Sequence, residues 1–499
     1  MNILLFALAI LPIAAFIFLL FFRKTSLLKA SLSALFITVL LTFLVWRVIP
    51  LVFFSSVAKG TFVALDIALI IIGAIFFLGV LKDMKTVEKV ARYLKSFSKD
   101  YRIQAVMLAW FFGAFLEGTA GFGTATAIVA PLLIGIGISP LRAVIIALIG
   151  NSAPVVFGAV GAPIRVGFAG FDISSMPVMA ATVNLVGVIV PAFIMWFAVS
   201  EEKDRLKAFK EALPFAFFSG ITFCTFSLIA SFIGVEFPSV IGSIAGMIAS
   251  GVALKAGFFI PKKERIIEKK EIVSLPRVSF IKTFFPYIVL IFILVVGKIL
   301  IGDISVLVPF GIDYRINLFN PGLVFLMTGT LIALFFHERK KVIFASLSNA
   351  IKRSIEPFIV IASISILVKV MTGSGMNGSG LPSFMELISK PFETALLPII
   401  APFVGAFGTF LTGSATVSNI MFGEFLYTAS GVMGFDWLKI LVLALVGAAA
   451  GNMIALVDIL ATETVIGLKH KERDVVLAVL VPCIAYVSLV AIIGLIISR

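Results

Sequence analysis

The chain has 499 residues, 61% of them hydrophobic and 13% charged, with a formal charge of +14. A soluble protein of this length needs far more polar surface, and apolar runs recur from Ile3 to Ser498, so the composition excludes a soluble fold and indicates a polytopic membrane protein. The basic residues lie in short segments between apolar runs, which is the positive-inside pattern of membrane topology and not a nucleic-acid surface.

The first apolar run, Asn2 to Phe22, has no basic residue before it and is followed by Arg23 and Lys24. A cleaved signal peptide has the reverse charge order, so the run predicts a retained first helix. Cys224 and Cys483 both lie in apolar runs and predict no disulfide framework.

A crossing needs about 20 apolar residues, and basic loops face the cytoplasm. Segments 2–22, 28–50 and 61–81 cross three times, which puts the amphipathic stretch 82–102 inside. Loop 200–211 (SEEKDRLKAFKE) is also inside, and 142–160 and 177–199 supply the two crossings between them. The stretch 104–138 must then enter and leave by one side, as a re-entrant hairpin. Segments 213–234 and 238–257 cross out and back, and the basic loop 258–283 is inside. Segments 284–301 and 321–336 follow, then HERKK at 337–341, then 355–371 going out to a Gly/Ser-punctuated loop at 373–392. Segment 436–466 returns, KHKER at 469–473 is inside, and 475–497 crosses last. The stretch 393–430 is left as a second hairpin, entering from the outside. The prediction is an all-α polytopic membrane protein with about twelve crossings, two hairpins and both termini outside.

Two stretches align without a gap. FFGAFLEGTAGFGTATAI (111–128) and FVGAFGTFLTGSATVSNI (403–420) share Phe, Gly, Ala, Phe, Gly, Thr and Ile at equivalent places. Each is followed by a Gly-Asn element, ALIGNSAP at 147–154 and AAAGNMIA at 448–455. Similar stretches entering from opposite faces predict an inverted repeat. The single transporter domain 1–499 then divides into a first repeat core 61–199, with hairpin 104–138 and broken helix 140–165, and a second, 355–497, with hairpin 393–430 and broken helix 436–466. Residues 200–354 intervene.

Irregular backbone at membrane depth is tolerated only inside protein or beside a wet cavity. Half-helix N-termini suit a carboxylate, and free carbonyls suit a cation. The candidate binding residues are therefore Thr119, Gly121 and Thr124 at the first tip and Asn151 and Ser152 at the first break. At the second tip they are Thr412, Gly413, Ser414, Thr416, Ser418 and Asn419. Close helix packing is the competing reading of each small residue.

Glu117, beside Gly118 in an apolar stretch, has two readings: a proton carrier, or a neutral acid capping the tip. Asn452 and Asp458 at the second break join it as ion-coupling candidates. Arg165 either clamps a substrate carboxylate or marks the outer membrane edge. Asp66 and Lys369, also in apolar runs, read as snorkelling helix ends or as members of an intramembrane pair.

FLEGTAGFGT (115–124), NSAPVVFGAVGAPI (151–164) and LTGSATVSN (411–419) resemble the motif blocks of the L-lactate permease family, in the same order. Glu117, Gly118, Ala120, Gly121, Phe122, Gly123, Asn151, Ala153, Pro154 and most of 411–419 match. The resemblance implies a secondary transporter taking up lactate, and often glycolate, with protons across a prokaryotic plasma membrane. It also implies kinship with ion transporters built from inverted repeats, among which dimers are frequent, so a homodimer is a further expectation. Four departures stand out. Ala415 replaces the family's Asp, Asn452 replaces a Lys, Ala455, Leu456 and Val457 replace Ser-Pro-Gln, and Arg165 replaces an apolar residue.

The reading is thus a non-enzymatic symporter for a lactate-like anion, working without a cofactor in the lipid bilayer and without nucleic acid. Protons are the expected driving ion. A Na⁺-coupled carrier or a Na⁺/H⁺-type antiporter is the alternative. No Walker A, H-E-x-x-H or Asp-rich motif points to ATP drive or to enzyme chemistry.

Overall fold

The computed structural model describes residues 3–23, 25–121, 123–261, 264–266, 280–302, 304–307, 315–336, 340–468 and 470–498. Phe122, Lys24, residues 337–339 and most of loop 258–283 lie outside the described residues.

Among the described residues, 10 helices are long and apolar enough to cross a membrane, and 12 when two bent pairs are counted as spans. Exposed Phe18, Phe36, Leu44, Phe54, Phe292 and Ile496 give these helices an apolar outer surface. The chain is a multi-pass, all-α membrane protein. Two details differ from expectation. Residues 302–320 hold a small antiparallel ribbon, Ser305–Leu307 paired with Arg315–Asn317. The crossing predicted at 321–336 is a helix of only 15 residues, Pro321–Phe335.

Both predicted hairpins are present as helix, break and helix. The first runs from Tyr101 to Thr119, turns through Ala120, Gly121 and Gly123 and continues as Thr124–Ile134. Its first arm contains a π turn at Met107–Phe112, buried throughout. The second is Leu397–Thr412, a turn at 413–414, and Ala415–Met433. Ser418 Oγ donates to Gly405 O across its arms (3.0 Å). Residues 384–389, expected as loop, form a helix whose start carries a reciprocal cap between Ser383 and Glu386. The chain then bends by 117° into the second hairpin.

Ion pairs locate the mouths of the hairpins. Arg102, with a fully buried side chain, pairs with Asp100 (2.6 Å) and Glu211 (3.2 Å). Arg142 pairs with Glu201 (2.7 Å), and Arg265 with Glu202 (2.7 Å) and Asp204 (2.5 Å). Both ends of the first hairpin therefore meet one charged segment, 201–211. Both ends of the second gather elsewhere: Phe171 packs on Tyr427 and Trp437 (centroids 4.9 and 5.9 Å), and Phe392 on Phe425 (4.7 Å). The broken helix Pro140–Gly150 plus Ala153–Arg165, bent by 44°, joins these two ends of the molecule. The hairpins therefore enter from opposite faces.

The order hairpin, broken helix, long helix occurs twice: 101–134, 140–165, Met176–Ala198, and 397–433, 437–466, Glu472–Ile497. Each hairpin packs against the broken helix of the other set. Thr462 Oγ1 donates to Thr126 Oγ1 (2.9 Å), and Asn419 Nδ2 donates to Pro163 O (2.9 Å). At the crossing point the two Gly-Asn breaks touch, with Asn452 Nδ2 donating to Asn151 O (3.3 Å).

Candidate functional site

Two glycines make the tips possible. Gly123 (φ 72°) precedes the second arm of the first hairpin, and Gly413 (φ 71°) closes the first arm of the second. Both occupy the left-handed region, where a side chain costs about 1–2 kcal/mol. A Cβ on Gly123 would also stand 2.5 Å from Asp458 Oδ1, so the tip backbone lies directly against that carboxyl. Facing the first tip, Ala159, Val160 and Gly161 run left-handed at φ 43°, 50° and 81°. For a β-branched residue such as Val160 that conformation is strained, and strain of this kind concentrates at binding sites.

The tips and breaks enclose a cavity of about 30 Å³. Its lining includes Glu117, Gly121, Gly123, Gly158, Gly413, Ser414, Thr416 and Asn452. That volume is room for roughly two waters. Glu117 is 5% exposed, and its Oε2 has no hydrogen-bond partner. The neighbouring Asn151 is 1% exposed with both side-chain polar atoms unpartnered. Buried polar groups are normally satisfied by protein, water or ligand, and here the Glu117 carboxyl and the Asn151 amide face each other beside the cavity.

The sequence candidates separate into groups. Gly121, Gly413, Ser414, Thr416, Asn452 and Glu117 line the cavity, Asn151 adjoins it, and Asp458 abuts Gly123. Thr119, Ser152 and Ser418 direct their hydroxyls to the backbone oxygens of Phe115, Ile149 and Gly405. Thr124 donates to Gly121 O (2.7 Å) and Thr412 to Gly408 O (2.8 Å), both bracing the tips.

Arg165 lies away from the tips, on the wall of a vestibule of about 750 Å³ lined also by Asp66, Phe168, Asp172 and Asn320. It bonds Asp66 (3.3 Å) and Phe319 O (2.6 Å), with Glu236 at 3.7 Å. Asp66 and Lys369 are each in an ion pair, as one of their two readings expects. Lys369 pairs with Glu424 (2.7 Å), an acid not among the sequence candidates although it interrupts an apolar hairpin arm.

Comparison with known proteins agrees with this architecture. The family profile described as L-lactate permease matches residues 5–304 and 300–499. The chain belongs to the L-lactate permease family. It is 28% identical to the L-lactate permease of Escherichia coli K12 (84% of this chain, 82% of that one). It is 27% identical to that of Bacillus subtilis 168 (95% and 92%), and 29% identical to that of Streptococcus iniae (71% and 76%). The relatives are named as permeases, and their names support reading this member of the L-lactate permease family as a lactate transporter.

Proposed function

We propose that this chain is a secondary active symporter that takes up lactate, or a close monocarboxylate, with protons across the plasma membrane by alternating access. One observation carries the reading. Two oppositely entering tips and two Gly-Asn breaks converge on a buried carboxyl, Glu117, that faces a buried amide, Asn151.

The anion's carboxylate meets the backbone N–H groups that open the half-helix at Ala415, which lines the cavity and where the helix dipole favours negative charge. Ser414, Thr416 and Asn452 supply short polar contacts to its hydroxyl. Glu117 carries the proton, and Asp458 at the other break is the second acid within reach of the tips. Because the cavity holds only about two waters, the tips must part to admit lactate. The vestibule is lined by residues of the 166–175 and 318–320 loops, on the side predicted to be outside, and serves as the entry path. The C-terminal helix is held by Lys439, whose Nζ donates to Ile497 O (2.7 Å).

Uptake of labelled lactate into proteoliposomes tests this. Accumulation driven by an inward proton gradient is expected, and it should be independent of sodium. Accumulation only under a sodium gradient would move coupling to Na⁺. Sodium flux with no organic substrate would replace the symporter by an antiporter.

A further inference from the structure

Between the vestibule and the tip cavity lies a small recess lined by Val63, Gly167, Ser365, Lys369, Asn419 and Glu424. It shares the walls Val63, Val166, Ala169 and Phe171 with the vestibule. On its other side, Asn419 is bonded to Pro163 O, and Pro163 lines the tip cavity. The Asn419–Pro163 contact therefore stands between recess and tips.

We propose that this recess is a second, outer binding subsite for the substrate's carboxylate, with Lys369 as its anchor and Glu424 as an internal occupant that the substrate displaces. Three observations carry it, and it rests on the transport reading above. An ammonium has three donors. Lys369 Nζ uses two, on Glu424 Oε1 (2.7 Å) and Ala169 O (3.1 Å), which leaves one for a ligand. Ser365, 1% exposed and lining the recess, has a hydroxyl with no partner. Arg165, the other cation on this path, is engaged by Asp66, Phe319 O and Glu236.

The Lys369–Glu424 pair resembles a bound anion already in place. The carboxylate is half of what the recess recognises, and the Ser365 hydroxyl is the unused half. An incoming monocarboxylate exchanges with Glu424 carboxylate for carboxylate, so the recess keeps its charge balance as it loads. Glu424 sits on the second arm of the second hairpin, five residues beyond Asn419. The same displacement therefore loosens the arm that carries the Asn419–Pro163 contact, and the anion passes on to the tips.

The test is equilibrium binding of labelled lactate to the purified full-length protein, with uptake measured in parallel. A charge-assisted hydrogen bond lost from the site predicts that Lys369→Met weakens binding about tenfold or more. Glu424→Gln removes the competitor and is expected to tighten binding. A pair that only holds the helices together predicts the same direction for both variants. Opposite signs therefore support the subsite, and equal signs or no change overturn it. Should Lys369→Met fail to insert, Ser365→Ala decides the matter: weaker binding with unchanged thermal stability supports the subsite, and unchanged binding overturns it. Wild-type protein that neither binds nor takes up lactate would overturn the transport reading and the subsite with it. Normal wild-type uptake with unaltered variants would overturn the subsite alone.

Discussion

Replacing Glu117 by Gln separates substrate movement from its driving force. Gln is nearly isosteric, and its amide faces the side chain of Asn151, which can accept from it through Oδ1. The folding cost is bounded by one buried polar mismatch, about 1–3 kcal/mol. The functional effect is larger. A gradient of one pH unit is worth about 1.4 kcal/mol per proton, so one-to-one symport accumulates lactate about tenfold. In the Glu117→Gln variant the accumulation ratio should fall to unity, while exchange of labelled for unlabelled lactate continues. Both quantities are read in the same proteoliposomes. Accumulation by the variant at the wild-type ratio would refute the assignment of the proton to Glu117. Loss of exchange as well would show that the residue holds substrate or structure and does not act in coupling alone.

Gly123→Ala should cost about 1–2 kcal/mol of left-handed strain and push Asp458 away, abolishing uptake. Gly434→Ala, at φ 70° with open space around it, should lower the thermal midpoint but spare transport. Gly405→Ala would drive a methyl group into Ala444 O and should destabilise by about 1–3 kcal/mol, visible as a lower thermal midpoint in detergent. Arg102→Met leaves Asp100 buried without its cation and should cost about 3–5 kcal/mol, read as loss of folded protein in membranes. Hydrogen bonds from Arg265 hold the Asp204 carboxyl down to about 2. A depressed acid stabilises fully above its unfolded value, about 3.9, and loses that contribution as pH falls toward the folded one. Wild-type and Arg265→Gln midpoints should therefore differ by a constant amount from about pH 5 to 8 and converge in stronger acid.

Topology was readable because charge and apolar length are properties of single segments. The acids at 200–211 and the arginines at 102, 142 and 265 place themselves on one face whatever the helices between them do. The repeat was readable because a tip needs Gly where φ is positive, and the aligned Gly121 (φ 58°) and Gly413 (φ 71°) supply it. Partner choice was not. Asp66 finds Arg165 99 positions away, and Lys369 finds Glu424, since helix packing decides those meetings. The left-handed turn at Ala159 and Val160 has no local signal, because neither residue type favours it. The helix at 384–389 did have one: Ser383 and Glu386 form the S-x-x-E cap, masked by the Gly- and Ser-rich residues just before it. Among the Ser and Thr candidates, only the folded arrangement separates hydroxyls bonded within their own helix from those facing a cavity.

The exchange of partners between the two hairpins has a consequence for biosynthesis. Thr126 waits for Thr462, which is 336 positions further along the chain. At about 5–20 residues per second, that is roughly 20–70 s during which a glycine turn and an acid sit at membrane depth without their mates. The nascent first half is therefore a client for whatever insertase or chaperone shelters half-built polar loops. A chain truncated before residue 456 should be removed by membrane proteolysis and should not persist as a stable fragment.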